Sequence, residues 1–322
     1  IFFLMGILPV LLLLPACDVS EPTPQEEEPG KIVLRKKSAE IIKADRQFAF
    51  ELFKEVCSMS DQDNIMISSL SVSYALGMTM NGAAGTTLDA FYDVLHFGDL
   101  TNQEVNESYL DLMEQLVHLD EKVEFSIANS IWYKLGYTVL EEFITTNQTY
   151  FDAVVNELDF SDPQAVDIIN GWIEEKTNDK IKDMLDYIPS NAVMYLINAI
   201  YFNAKWKYQF DKSETYEGAF YLENGGTSQA DFMKVNGAFN YTVAEDFSAV
   251  ELPYGDSTFS MVVMLPDEGT VINELIESNL SFVIKVASEY RNLGIPFEDL
   301  LNEGNIGLIE AAHRYDATKG TK

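Results

Sequence analysis

The side chains that most often perform chemistry in proteins are scarce in this chain of 322 residues. It contains three histidines and two cysteines. His96, His118 and His313 lie far apart, and neither histidine nor cysteine falls at a spacing typical of a metal site. No glycine-flanked nucleophilic serine and no phosphate-binding glycine loop with a lysine accompanies them. We therefore expect a protein that is not an enzyme and that uses no cofactor and no metal.

Acidic side chains strongly outnumber basic ones. The chain holds 52 Asp and Glu against 21 Lys and Arg, a formal net charge of −31. This charge argues against direct binding to nucleic-acid phosphates or to an anionic membrane surface. Residues 281–322 hold five basic and six acidic side chains, so nearly all of the negative charge lies before them. Hydrophobic residues make up 47% of the chain, enough for a large packed core.

The first 17 residues are typical of a secretion signal. Residues 1–14 carry no charge, and they are too few to cross a bilayer, which takes about 20 apolar residues. The sequence Leu14-Pro15-Ala16-Cys17 resembles the lipoprotein cleavage site of bacteria, and this resemblance implies a lipid attached to Cys17. We expect a secreted, periplasmic or cell-surface lipoprotein that meets the membrane only through this anchor. The alternative is a buried apolar strand with an incidental cysteine.

Residues 18–37 are predicted to form a tether. Residues 18–30 contain three prolines and five carboxylates, a composition that stays extended and solvated. The only cysteine after Cys17 is Cys57, so no disulfide framework is expected and packing must stabilise the body.

The body that follows alternates between helical and strand-like patterns. A period of 3.6 predicts helices over Ser38–Cys57, over Leu70–Met80, around Val105–Leu116, and from Pro163 to about Ile173 with Ser161 or Asp162 as its cap. Strands are predicted at Val123–Tyr133, at Val193–Phe202 with both faces buried, and at Ala249–Tyr254 and Phe259–Leu265, joined as a hairpin. Helices come first and strands cluster later, which predicts an α+β fold with a large mixed or antiparallel sheet.

Six blocks of sequence, in order, resemble the serpin family over about residues 40–277. The first is Asn64 to Leu76, followed by Asn81 to Thr87. The others are Ile127 to Trp132, Ile169 to Ile173 with Thr177 and Lys180-Ile181, Asn198 to Phe202 with Lys205-Trp206, Phe232-Met233 with Tyr241, and Glu251 to Tyr254 with Ser260-Met261 and Leu265-Pro266. We take residues 38–277 as a partial serpin domain.

The resemblance implies helices around a large central sheet and a suicide-substrate mechanism against serine or cysteine endopeptidases. In such proteins a protease cleaves an exposed loop, which then inserts into the sheet as a new strand. Ser68, Ser71 and Asn198 match the positions that control sheet opening, called the shutter. Trp206 matches the aromatic residue where insertion begins, called the breach. Without the resemblance, Ser68 and Ser71 would be explained by helix capping and Asn198 by a locally satisfied strand amide.

After Gly269 a serpin should supply further elements of the inhibitory machinery. The further central strand, the small-residue hinge and the bait loop have no counterpart in residues 270–322. We therefore expect the reactive bond to be absent and this chain to be non-inhibitory, although an intact family member would inhibit proteases.

Residues 278–322 instead resemble primary sigma factors of bacterial RNA polymerase. The likeness lies in Asn279 to Ala287, Gly294-Ile295-Pro296, Asp299 to Ile309 and Ala312 to Asp316. It implies contacts with core RNA polymerase through Asp299, Glu303 and Asn305, and no promoter reading. The alternative is an ordinary amphipathic helix beginning near Pro296.

These two resemblances imply different compartments, so we expect a chimeric or misassembled sequence joined between about Ile276 and Leu280. Three functions follow from the sequence. The first is a serpin-family endopeptidase inhibitor in its intact form. The second is a polymerase-binding module carried by residues 278–322. The third is a surface-tethered, non-inhibitory binding protein.

Overall fold

The computed structural model describes residues 36–267 except 61, 63, 223, 224 and 245. The predicted signal, the tether up to residue 35 and the sigma-like segment lie outside the described residues. The described helices are α1 Lys36–Met59, α2 Ser69–Met80, α3 Thr86–Val94, α4 Asn102–Val117, α5 Glu141–Phe151 and α6 Ala165–Lys176. The strands are β1 Val123–Lys134, β2 Val154–Leu158, β3 Met194–Ala204, β4 Tyr216–Tyr221, β5 Thr227–Phe232, β6 Tyr241–Val243, β7 Phe247–Pro253 and β8 Ser260–Pro266. No helix among these residues is long and apolar enough to cross a membrane.

The longest sheet has the order β2-β1-β3. β1 and β3 are antiparallel over 11 residue pairs, from Val123 opposite Ala204 to Tyr133 opposite Met194. β2 adds to the other edge of β1 in parallel. Apolar side chains from α1, α2, α4 and α5 form the main core with Ile131 of β1, so one face of the sheet is covered by helices.

The other face of β1 and β3 is covered by α6. Ile169 and Ile173 of this helix pack with Trp132 of β1, and Tyr195 and Ile197 of β3 lie against them. Two smaller sheets follow: the β4-β5 hairpin and the three-stranded meander β6-β7-β8. The α+β class predicted from the sequence is confirmed.

Two details differ from the sequence-based prediction. α6 begins at Ala165, and its N-cap Gln164 makes no side-chain cap. Asp162 instead accepts a hydrogen bond from the Gln164 N–H at 2.8 Å, so it forms a turn before the helix. In β3 only Ala199 is fully buried, and Phe202 is 37% exposed, so this strand is not buried on both faces throughout.

Candidate sheet-opening site

Ser68 and Ser71 lie together at the start of α2. Ser68 is the N-cap, and its hydroxyl oxygen accepts a hydrogen bond from the Ser71 N–H at 3.3 Å. The same hydroxyl donates to Ser71 Oγ at 2.9 Å. Both residues are half-buried. Their local geometry is that of a capped helix, in which a side-chain oxygen satisfies one of the free amides of the first turn.

Asn198 lies in the middle of β3, directly opposite Asn129 of β1. Its Nδ2 donates to Asn129 Oδ1 at 2.8 Å, and Asn129 Nδ2 donates in turn to the Phe151 carbonyl at 2.7 Å. Asn129 is 1% exposed. This pair of amides therefore crosses the β1–β3 ladder and ties it to the end of α5.

One oxygen of this amide pair is left without a partner. Asn198 Oδ1 is buried and accepts no hydrogen bond from any described residue. An unsatisfied buried polar atom costs about 1–3 kcal/mol. The β1–β3 junction at Asn198 is thus less stable than its apolar packing alone would make it.

The structure places α2 against β3 but does not join the three predicted shutter residues into one network. The hydrogen bonds of Ser68 and Ser71 stay within the first turn of α2, and that of Asn198 goes to Asn129. Sequence reasoning missed Asn129 as a site residue. The signal was present, since a polar residue stands on the alternating inward face of a predicted strand.

The other end of α2 is held by a second amide cluster. Asn81, the C-cap of α2, exchanges hydrogen bonds with Asn106 of α4 at 2.9 and 3.1 Å and donates to Asn147 Oδ1 at 3.0 Å. Asn147 Nδ2 donates to the carbonyls of Phe143 and Met78. α2 is therefore fixed at its C-terminus to α4 and α5.

Trp206, the predicted breach residue, stacks on Tyr254 in the β7–β8 hairpin. Their ring centroids are 4.3 Å apart with 15° between the planes, and an isolated antiparallel bridge pairs the two residues. Backbone hydrogen bonds on either side of the two rings hold this contact in place. The Lys207 N–H donates to the Pro253 carbonyl, and the Gly255 N–H donates to the Lys205 carbonyl, both at 2.9 Å.

The same hairpin is bound to the turn before β1 by two carboxyl groups. Asp120 accepts hydrogen bonds from the N–H of Lys122 at 2.7 Å and of Asp256 at 3.1 Å. Burial raises the pKa of Asp120, and the nearby Asp256 carboxyl contributes to the rise. At Asp256 burial acts to raise the pKa, but hydrogen bonds from Thr258 and Asp120 outweigh it, and the pKa of Asp256 is lowered. Of the two carboxyl groups, Asp120 therefore binds a proton more readily than Asp256.

β3 is an edge strand in the described part of the chain. β1 occupies one of its edges along its whole length, and no described strand pairs with the other. An unpaired edge presents free N–H and C=O groups and is a template for another strand. Asn198 and Trp206 both lie on or just after this strand.

The profile of the family described as "Serpin (serine protease inhibitor)" matches residues 43–291. The chain belongs to the serpin family. An uncharacterized serpin-like protein of Methanosarcina mazei is 33% identical over 260 residues, which cover 79% of this chain and 60% of that protein. Human Serpin B3 is 29% identical over 254 residues, which cover 73% of this chain and 65% of Serpin B3.

Solved serpin structures have the same fold. The native state of the thermophilic serpin Tengpin superposes with a TM-score of 0.70 at 32% identity and covers 80% of this chain and 65% of its own. Cleaved kallistatin superposes with a TM-score of 0.72 at 23% identity, and the match covers 80% of this chain and 75% of kallistatin. This likeness is one of fold alone. This serpin chain spans about 60% of the length of its Methanosarcina relatives.

A second profile, Sigma-70 region 2, matches residues 275–322. This match coincides with the segment whose sequence resembles sigma factors, and it overlaps the last 17 residues of the serpin match. The predicted polymerase contacts Asp299, Glu303 and Asn305, and the predicted lipid attachment at Cys17, lie outside the described residues.

Proposed function

We propose that this serpin is the body of an endopeptidase inhibitor whose central sheet accepts a cleaved loop at the edge of β3 that no described strand occupies. The targets are serine or cysteine proteases. The observation that carries the proposal is that edge, an 11-residue strand bonded to β1 on one side only among the described residues. An extended segment that adds to such an edge gains main-chain hydrogen bonds along its length.

The predicted site residues have distinct roles in this proposal. Asn198 lies midway along the edge strand and, through Asn129, ties β3 to β1, so the opposite edge of β3 is the one at which a strand can be added. Ser68 and Ser71 hold the first turn of α2 beneath β3. Trp206 holds the hairpin at the end of β3 where insertion would begin.

A synthetic strand tests this function on the full chain. We expect a peptide of about 12 residues, rich in Thr, Val and Ala, to bind and to raise the Tm, because it pairs with the edge of β3 that no described strand occupies. The control is a peptide of equal length in which alternate residues are replaced by proline, which cannot donate to a ladder. Equal Tm shifts with both peptides, or none with either, would contradict the proposal.

Protease assays test the expected lack of inhibition by this chain. Residues 270–322 resemble neither the hinge nor the bait of a serpin, so we expect elastase, trypsin, subtilisin and papain to leave no covalent complex in denaturing gels. A complex that survives denaturant with any of these proteases would refute the expectation.

For the location of the protein, we infer a lipoprotein on or outside the membrane. The support is the uncharged apolar segment before Cys17 and the acidic tether after it. Labelling with a radioactive fatty acid in bacterial cells should mark the wild type and leave Cys17→Ser unmarked. Equal labelling of both would remove Cys17 as the attachment site.

A second function, binding to core RNA polymerase, is favoured by the Sigma-70 region 2 match alone. A pulldown with core polymerase should retain the full chain and lose it when Asp299, Glu303 and Asn305 are replaced by alanine. Reading the gene by long-read sequencing tests the proposed join. An uninterrupted frame across Glu277 to Ser281 in several isolates would show that the two segments are one natural protein.

A further inference from the structure

A carboxyl group is buried in the helical core on the inward face of α1. Asp45 lies on the same stripe as Ile41, Ala44 and Phe48, at the spacing expected for one face of a helix. The residue is 5% exposed. An unpaired carboxylate in such a place carries a large desolvation cost unless it is neutralised.

The surroundings of Asp45 favour its neutral form. A single hydrogen bond between described residues favours the charged form, from the Tyr109 hydroxyl on α4 to Asp45 Oδ1 at 3.0 Å. The other oxygen, Oδ2, is buried and has no hydrogen-bond partner among the described residues. Ser73 of α2 lies close by, but its hydroxyl donates to the Leu70 carbonyl at 3.2 Å. No lysine, arginine or histidine in the described part of the chain forms a salt bridge with Asp45.

The titratable groups that face Asp45 from the packed helices do not supply a positive charge. Tyr74 on α2 donates its hydroxyl to the Tyr109 carbonyl at 3.1 Å. Burial and the charge of Asp45 raise the pKa of Tyr74 and of Tyr109 well above 10, so both stay neutral. Asp111 on α4 faces α1 further along, where Ser38 donates to it at 2.7 Å.

We propose that Asp45 is a pH-dependent lock: α1 docks tightly on α2 and α4 while the buried carboxyl holds its proton, and the junction loosens when the proton leaves. The lock acts on α2, the helix that carries Ser68 at its start and packs against β3. It does not depend on protease inhibition, because it concerns only the packing of three helices.

The direction of the effect follows from the proton affinity. Burial raises the pKa of Asp45 from 3.8 to about 7, and the hydrogen bond from Tyr109 only partly offsets this rise. The folded state therefore binds the proton more tightly than the unfolded state. The stabilisation is fully present below the unfolded value and is lost as the pH rises through the folded value.

Urea unfolding of the full chain measures this loss. From a value of 3.8 in the unfolded chain and about 7 in the folded one, the unfolding constant should rise about a hundredfold between about pH 5 and about pH 8. Asp45→Asn keeps the shape without the charge, so most of this rise should disappear. The same rise in Asp45→Asn and in the wild type would overturn the lock.

A second pair of side chains, His96 and Glu51, also attaches α1 to the rest of the fold and could contribute to the pH dependence. It therefore requires a control. His96 Nε2 lies 2.7 Å from Glu51 Oε2, and the histidine is charged only when protonated. His96→Gln removes this contribution to the pH dependence. We expect the Asp45 effect to persist in the His96→Gln background, and its disappearance there would assign the effect to the His96 and Glu51 pair instead.

A second measurement covers the case in which Asp45→Asn does not fold. Hydrogen exchange of the α1 amides in the wild type, corrected for intrinsic rates, should show protection that falls about tenfold per pH unit from about pH 5 and levels off near pH 7. Tyr109→Phe removes the hydrogen bond that favours the charged form, so the pH at which protection levels off should move higher. An unchanged or lower levelling-off pH in Tyr109→Phe, or protection of α1 that is independent of pH, would refute the proposal.

Discussion

Replacing Gly255 with alanine should destabilise the β7–β8 hairpin and the Trp206 stack next to it. Gly255 has φ +44°, a conformation that costs a residue with a Cβ about 1–2 kcal/mol. An added Cβ would also overlap Asp120 Oδ2 and lie 3.1 Å from its Cγ. The carboxylate would have to move away from the Asp256 N–H that it accepts at 3.1 Å, a loss of about 1–3 kcal/mol. Together these effects give a destabilisation of about 2–5 kcal/mol.

Gly98 is the matched control for this substitution. It has φ +55° and no atom within 4 Å of an added Cβ, so Gly98→Ala should lose only the backbone term of about 1–2 kcal/mol. Urea unfolding monitored by tryptophan fluorescence compares the two variants. We expect Gly255→Ala to unfold at the lower urea concentration and to change the emission of Trp206 before global unfolding.

A double-mutant cycle isolates the contact with Asp120. Asp120→Ser shortens the side chain, so Gly255→Ala should cost about 1–3 kcal/mol less in that background than in the wild type. Equal stabilities of Gly255→Ala and Gly98→Ala, or strict additivity with Asp120→Ser, would refute the reasoning. Either result would mean that the hairpin and the turn before β1 are not locked together.

Further substitutions test the side-chain amides of four asparagines. Asn129→Ala should destabilise the fold by about 2–4 kcal/mol in urea unfolding, and more than Asn198→Ala, because only the former leaves two buried partners unpaired. Asn147→Ala should cost a similar amount, because its side-chain amide bonds to Asn81 and the Met78 carbonyl at the end of α2 and to the Phe143 carbonyl of α5. A loss below about 1 kcal/mol would contradict this role. Asn170→Ala removes two 2.8 Å hydrogen bonds to the backbone of Leu185, in the segment after α6. Chymotrypsin should then cleave faster at the exposed Tyr187 of that segment. An unchanged cleavage rate would show that other contacts hold the segment.

Much of the scaffold could be predicted from the periodicity of the sequence. α1, α2, α4, β1 and the β7–β8 hairpin lie within a few residues of their predicted positions, because long amphipathic patterns and a turn rich in Gly and Asp are strong local signals. α3, α5, β2 and the β4–β6 strands were not predicted. They are short, and several carry exposed aromatic or charged side chains that weaken the pattern.

The site was harder to predict because it depends on contacts between distant segments. Asn198 was identified through its resemblance to serpins, but its partner Asn129 depends on the register between β1 and β3. The contact from Asp120 to the hairpin spans 136 positions. The error at α6 has a local cause, since Asp162 can either cap a helix or close a turn, and here it closes the turn.

Unsatisfied polar atoms lie on both sides of α2, and this arrangement predicts where the fold opens first. Asp45 Oδ2 lies on the α1 side, and Asn198 Oδ1 lies on the β3 side. At the far end of α2, by contrast, the amide of Asn147 is well bonded. Each orphaned oxygen costs about 1–3 kcal/mol, a sizeable share of the 5–15 kcal/mol that typically separates folded from unfolded states.

The test is the order in which backbone amides exchange in the native protein. Amides of β3 that bond to β1 should open with a smaller free energy than those at the C-terminal end of α2, because only the former adjoin an unsatisfied buried group. If α2 exchanged first or both exchanged together, the weak point would not lie at β3. In that case the unsatisfied oxygen of Asn198 would not determine where the fold opens first.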